Sequence, residues 1–331
     1  MSGRTPPVLG PGREFDRVRA IAQTLGDAAR GLGDDCARID FPPGVPLVSV
    51  DASVEGVHFR RDWLRDDEIG WRATMAALSD LAAMGATPTG VVAAVSLPGE
   101  LDASVLAELM RGVGNAATAV GAAVLGGDLS RGPVCSLSIT VLGAAPRPVW
   151  RSGARPGDRL WVTGRLGASR AALEALQAGQ VPAPLLRHRF AHPEARTAAG
   201  IGLAALGATA LIDLSDGLAA DAAHLAAASA VRLTIELDAL PLHRGVGAAA
   251  ARAAVPLPIF AAGSGEEYEL LAALPGDVPP EALAALGVAL ALPITCIGAV
   301  LAGPAAVELR HGVRLVHVPG FDHFHGEAAS R

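Results

Sequence analysis

Five aspartate-bearing turns, each entered from an apolar run or an apolar helical pattern, punctuate this chain. They read Gly33-Asp34-Asp35, Ser49-Val50-Asp51, Leu78-Ser79-Asp80, Gly126-Gly127-Asp128 and Asp213-Leu214-Ser215-Asp216-Gly217. A chain built this way alternates strands with helices and collects carboxylates at the element ends. Carboxylates so placed supply the oxygen ligands that Mg²⁺ takes, usually together with substrate phosphates. The basic residues sharpen the point, because all 27 are arginine and none is lysine. The P-loop and protein-kinase designs both place a lysine on the phosphates. A nucleotide held here would need metal ions and arginine to neutralise it.

The apolar pattern orders the elements. Residues 45–50 read as a strand with Asp51 at its carboxyl end. Residues 66–84 show helical periodicity, closed by Gly85 with Pro88 following. A strand at 91–97, a helix at 101–120, a short strand at 122–125 ending in a tight Gly-Gly-Asp turn, and a strand at 135–142 complete the first half. Pro146-Arg147-Pro148 and the turn-rich stretch 153–158 mark a boundary, giving domains 1–148 and 149–331. The second half reads as strands at 159–163, 210–212, 230–237 and 295–300, with helices at 169–178, 217–229 and 279–287. A further strand is expected after Tyr268. The class is α/β or α+β, and the shared habit of an Asp-rich turn opening a helix hints at two related domains.

Composition excludes several classes. Half the chain is hydrophobic (51%), much of it alanine, yet no run reaches the roughly 20 uninterrupted apolar residues of a bilayer span. The longest candidate, 245–262, contains Arg252, Pro256 and Pro258. The first twelve positions lack the apolar core of a secretory signal, so a soluble cytoplasmic protein with no membrane partner is expected. Cys36, Cys135 and Cys296 have no metal-ligand or redox spacing and read as small buried hydrophobes. A net charge of −6 offers no basic stripe for nucleic acid.

Each acidic site has a bland reading. Asp34-Asp35 alone is a solvated turn. Asp80 could be salt-bridged among its alanines. Ser215 or Asp216 could cap the following helix. Asp51 is harder to dismiss, because strand alternation puts it on the same face as Ser49. Gly126-Gly127 would let a phosphate approach the Asp128 backbone closely. His58, eight residues into the stretch that follows Val50, reads as structural when taken alone. The segment 263–270 places Glu266, Glu267 and Glu269 beside the only tyrosine.

In order and wording these motifs resemble the thiamine-monophosphate kinase family, of the aminoimidazole-ribonucleotide-synthetase-like superfamily. The likeness rests on GDDCA at 33–37, SVDASVEGVHF at 49–59, LSDLAAMGATP at 78–88, GGDLSRGP at 126–133, RSGARPGD at 151–158, IDLSDGLAAD at 212–221, GSGEEYEL at 263–270 and GFDHF at 320–324. The resemblance implies a two-domain fold whose N-terminal domain forms a β-barrel jointly with a second copy, a homodimer, followed by a C-terminal α/β domain. It implies transfer of the ATP γ-phosphoryl group to thiamine monophosphate with several Mg²⁺ ions. It implies metal ligands at Asp34, Ser49, Val50, Asp51, Asp80, Asp128, Asp213 and Asp216, with Val50 contributing only its carbonyl. It implies ATP contacts at Gly127, Asp128, Arg151 and Ser215, and thiamine-phosphate contacts at His58, Glu266 and Phe321.

This chain departs from the family pattern at four positions. Val50 and Leu129 stand where threonine is usual, Glu267 where aspartate is, and Ser264 where glycine is. Two other readings remain: a different ATP-using member of the superfamily, such as aminoimidazole ribonucleotide synthetase or a hydrogenase-maturation protein, or a nucleotide-binding module without catalysis. His58 and the GFDHF segment argue against the first. The full set of acidic positions argues against the second.

Overall fold

The computed structural model describes residues 13–30, 32, 36–99 and 103–318. They fall into two compact units, one within residues 13–81, 86–147 and 191–197, the other within 82–85, 148–190 and 198–318.

The first unit runs α1 (Arg13–Leu25), β1 (Val45–Val54), α2 (Asp66–Ala83), β2 (Thr87–Leu97), α3 (Ala103–Ala119), β3 (Ala123–Arg131) and β4 (Ser136–Ala145). Its sheet has the order β1-β4-β2-β3. β4 pairs antiparallel with both β1 and β2, whereas β2 and β3 are parallel and joined through α3. α2 starts with Asp66, Asp67 and Glu68 against the positive end of the helix dipole. Glu68 Oε2 also accepts the Arg65 N–H at 2.9 Å, half of a capping box. The helix stops where Gly85 turns left-handed (φ 63°). α2 and α3 approach closely enough that a Cβ on Gly70 or Gly112 would lie 2.0 Å from a backbone carbonyl of the other helix.

One row of sheet residues, including Val91, Ala93, Val95, Leu137, Ile139 and Val141, is buried. Each such side chain contributes about 1–3 kcal/mol. The alternate row is bare: Val48 and Val50 are 67% and 60% exposed.

The second unit contains β5 (Arg159–Thr163), α4 (Ala168–Gln177), α5 (Pro184–Ala191), α6 (Thr197–Ala205), β6 (Ala210–Asp213), α7 (Leu218–Ser229), β7 (Arg232–Glu236), α8 (Val246–Arg252), α9 (Leu257–Ala262), β8 (Leu270–Leu274), α10 (Pro280–Ala289), β9 (Ile294–Leu301), β10 (Ala306–His311) and β11 (Arg314–Val316). Its seven strands lie in the order β11-β10-β7-β9-β5-β8-β6. Only β7 and β10 pair in parallel. Both faces are covered. Leu160, Val162, Ile212, Leu271 and Ile297 join Leu218 and Leu225 of α7 in one core. Trp161, Leu211, Leu270 and Leu274 join Leu203 of α6 and Leu283 of α10 in the other. Strands buried on both faces read as continuous apolar runs rather than alternating ones.

Three expectations are corrected. Gly126-Gly127-Asp128 is not a tight turn: β3 runs through it to Arg131, because the long strand β2 supplies hydrogen-bond partners as far as Leu97. The close approach Gly127 permits is to the Ala93 carbonyl, 2.0 Å from where a Cβ would stand. Cys36 is exposed, since no helix or strand covers residues 36–42. Cys135 is buried as expected, which pushes its thiol up to about 11.

Candidate active site

In the first unit the β1 alternation turns Leu47, Ser49 and Asp51 inward and leaves Pro46, Val48, Val50 and Ala52 exposed. Val50 therefore points its side chain away from Ser49 and Asp51. Asp80 projects from α2 toward β1, where its Oδ2 accepts the Ser49 hydroxyl at 2.5 Å. It bears no salt bridge in that contact; a hydroxyl holds it. Burial first, and then the charge of Asp80, push the Asp51 carboxyl up to about 6. Among the described residues, two carboxylates and a hydroxyl thus meet with no cationic side chain paired to them.

Asp128 is not brought to this cluster. Strand register aligns it with Ala94, Ser138 and Ala52, whereas Asp51 aligns with Ile139, Ala93 and Gly127. Asp128 therefore belongs to the opposite row of the sheet, on the far edge strand, and is exposed. His58 sits in the turn after β1, with its Nδ1 accepting the Val54 N–H at 3.2 Å. Asp34 and Phe321, both named as site residues above, lie outside the described residues.

In the second unit Asp213 ends β6 and is buried, and Ser215 and Asp216 follow half-buried. Neither serves as a helix cap, because α7 begins after Gly217 with no side-chain cap. The acidic residue that the sequence reading passed over is Asp221, on the first turn of α7. It is 2% exposed, and its Oδ2 accepts the Asp216 N–H at 3.1 Å. Burial, and then the charges of Asp213 and Asp216, push it up to about 8. The available signal was the one that singled out Asp80: an aspartate among alanines on a helix.

Glu266 sits opposite this loop, donating its N–H to the Ser215 carbonyl at 2.7 Å. Arg151 is exposed, and its carbonyl accepts the Ser229 hydroxyl at 3.0 Å. Two residues of the 263–270 segment that the sequence left without a role are buried anchors. Glu267 is held by the start of α4, and Glu269 pairs with Arg189 at 2.7 Å.

Among the described residues no three carboxylate, imidazole or thiol groups converge as a ready-made metal cage. The donor chemistry nonetheless fits a hard cation. Every donor is oxygen, and in each unit neighbouring carboxylates raise the proton affinity of one acid, Asp51 in the first and Asp221 in the second, a repulsion a bound cation relieves.

Known proteins resemble the chain along most of its length. The family model described as AIR synthase related protein, N-terminal domain, matches residues 33–145. Thiamine-monophosphate kinase of Mycobacterium tuberculosis is 37% identical over 303 residues, covering 90% of this chain and 87% of the relative. The crystal structure of thiamine-monophosphate kinase from Stenotrophomonas maltophilia matches with a TM-score of 0.77 at 34% identity, covering 90% of this chain and 96% of that one. AaThiL complexed with AMPPCP and TMP matches with a TM-score of 0.75 at 31% identity, covering 94% and 97%.

Proposed function

The chain belongs to the thiamine-monophosphate kinase family, and on that footing we propose that it transfers the γ-phosphoryl group of ATP to the phosphate of thiamine monophosphate, giving thiamine diphosphate and ADP. The observation that carries this reading is the length of the likeness: kinases of this family match over about nine-tenths of the chain. The ligands of AaThiL support it, since AMPPCP is ATP with a methylene in its β–γ bridge and was bound there together with TMP.

The residues divide the work by chemistry. Phosphoryl transfer consists mostly of positioning and charge neutralisation. Ser49, Asp51 and Asp80 in the first unit, and Asp213 and Asp216 in the second, are oxygen donors that would hold Mg²⁺; Asp34, the Val50 carbonyl and Asp128 are further proposed donors, Asp128 apart from the Ser49–Asp80 cluster. Bound there, the ions supply the positive charge that the nucleotide phosphates require in a chain without lysine. Arg151 would add a cation for ATP, and Gly127, Asp128 and Ser215 are the further nucleotide contacts of this reading. His58, Glu266 and Phe321 are the thiamine monophosphate contacts of this reading. No general base is assigned, because the acceptor phosphate oxygen is already ionised.

Residues 1–148 serve as the ATP- and Mg²⁺-binding and dimerisation domain, and 149–331 as the second domain. The homodimer reading is supported by the bare row of Val48 and Val50 and by the open edge strands β1 and β3. Among the described residues no helix is long and apolar enough to cross a membrane. The protein acts in the cytoplasm on small molecules, with neither membrane nor nucleic acid as partner.

Incubation of the purified protein with ATP, Mg²⁺ and thiamine monophosphate, followed by chromatography, tests the reading. Thiamine diphosphate is expected, and ATP consumption without it would defeat the proposal.

A further inference from the structure

Glu266 is held in a conformation that its own residue type does not favour. Glu266 and Tyr268 both have left-handed backbones, with φ of 54° and 51°, a region non-glycine side chains seldom enter. Such a conformation persists only where the surroundings impose it. Between the two residues, the Glu267 side chain is turned inward and is 1% exposed.

One oxygen of Glu267, Oε1, accepts three hydrogen bonds. They come from the Ser264 hydroxyl at 2.6 Å, the Gly167 N–H at 2.8 Å and the Ser169 N–H at 3.2 Å. The last two are N–H groups at the start of α4, where unpaired donors and the helix dipole favour a carboxylate. The helix has no local side-chain cap, since its N-cap residue is Gly167. The cap arrives instead from a segment about a hundred residues away. The other oxygen, Oε2, has no hydrogen-bond partner among the described residues.

A second clamp acts on the same segment. Arg189 donates to the Glu267 carbonyl at 2.6 Å and to Glu269 Oε1 at 2.7 Å, and Thr163 donates to Glu269 Oε2 at 2.7 Å. On its other side the backbone of the segment is laced to the Asp213–Gly217 loop. Glu266 N–H donates to Ser215 O at 2.7 Å, Tyr268 N–H to Leu214 O at 2.9 Å, and Leu214 N–H to Glu269 O at 2.8 Å.

We infer that Glu267 is a positioning residue for the reaction: anchored on the start of α4, its carboxylate fixes the left-handed turn that presents Glu266 to thiamine monophosphate in register with Ser215. The inference rests on the kinase reading and on the contact proposed for Glu266. It assigns a role to the position at which this chain departs from the family's usual aspartate.

Steady-state kinetics with each substrate varied in turn test it, after wild-type turnover has been established. A wild-type protein that makes no thiamine diphosphate defeats the kinase reading and is recognised before any variant is compared. Given wild-type activity, Glu267→Ala is expected to raise the KM for thiamine monophosphate by about tenfold or more, with the ATP KM within about threefold. Glu267→Gln keeps an oxygen acceptor for the two helix N–H groups and is expected to stay within about threefold of wild type in both. If Glu267→Ala does not fold, Ser264→Ala removes one of the three donors and is expected to raise the thiamine monophosphate KM about threefold alone. An unchanged thiamine monophosphate KM in a folded Ala variant, an equal rise in both KM values, or a Gln variant as impaired as the Ala variant would each overturn the inference.

Discussion

The Ser49 hydroxyl donates to Asp80 Oδ2 at 2.5 Å, joining the inward face of β1 to α2 beside the half-buried Asp51. Asp80 is also near enough to Asp51 for its charge to raise the Asp51 carboxyl. Such a pair is poorly stable without a cation and useful with one.

Asp51→Asn and Asp80→Asn are each expected to abolish most turnover at ordinary Mg²⁺ concentrations. Without metal the effect on stability reverses. The Asp51 carboxyl titrates near 6 in the fold against an ordinary 3.8. A raised carboxyl gives stability that is fully present below the ordinary value and lost as pH rises through the folded one. Ionised Asp51 therefore costs about 3 kcal/mol above that window. In metal-free buffer at about pH 8 Asp51→Asn should melt above wild type, and the gain should vanish near pH 4. Adding Mg²⁺ should raise the wild-type Tm more than that of the variant. Scanning calorimetry across pH with and without Mg²⁺ checks the pattern. A variant that melts below wild type throughout and turns over normally would refute the cluster.

The bare row of the first unit's sheet makes a second prediction. Val48 is 67% exposed on edge strand β1, and Val48→Asp would place a charge in the proposed contact between two copies. Sedimentation velocity should show a dimer for wild type and a shift toward monomer for the variant, with little change in Tm. A wild-type monomer at micromolar concentration would remove the dimer from the account.

Glu267 also carries a pH signature. Burial pushes its carboxyl above the ordinary 4.5, more strongly than Arg189 and the Ser264, Ser169 and Gly167 donors pull it down. The wild-type fold is therefore favoured while Glu267 is protonated and loses that contribution as pH rises above about 4.5. Glu267→Gln does not titrate. Its Tm should gain on that of wild type as pH rises through this window, and a difference independent of pH would contradict the assignment.

The sequence made local features legible. α2 was expected over 66–84 and is Asp66–Ala83, because its apolar period, acidic start and glycine stop agree. β5 coincides with its expected span, since five consecutive positions, Arg159–Thr163, end in an apolar run buried on both faces. The shared face of Ser49 and Asp51 followed from strand alternation alone. Tertiary relations were not legible. Nothing local reveals that Asp80 meets Ser49, that β3 continues through Gly126-Gly127-Asp128, or that Glu267 caps a helix from a distance. Helices α1, α5, α6, α8 and α9 are not read from the sequence: α6 is a small-residue stretch with little amphipathic contrast, and α8 and α9 span only seven and six residues. Asp221 closes the IDLSDGLAAD motif, but its burial beside Asp213 and Asp216 is visible only in the fold.

The account stands or falls on where the γ-phosphoryl group goes. With ATP labelled in its γ-phosphate, Mg²⁺ and thiamine monophosphate, the label should appear in the terminal phosphate of thiamine diphosphate, with one ADP formed for each diphosphate. Omitting thiamine monophosphate should leave the ATP largely intact. Label released as inorganic phosphate, or ADP formed without labelled thiamine diphosphate, would contradict direct transfer and return the protein to a different branch of its superfamily.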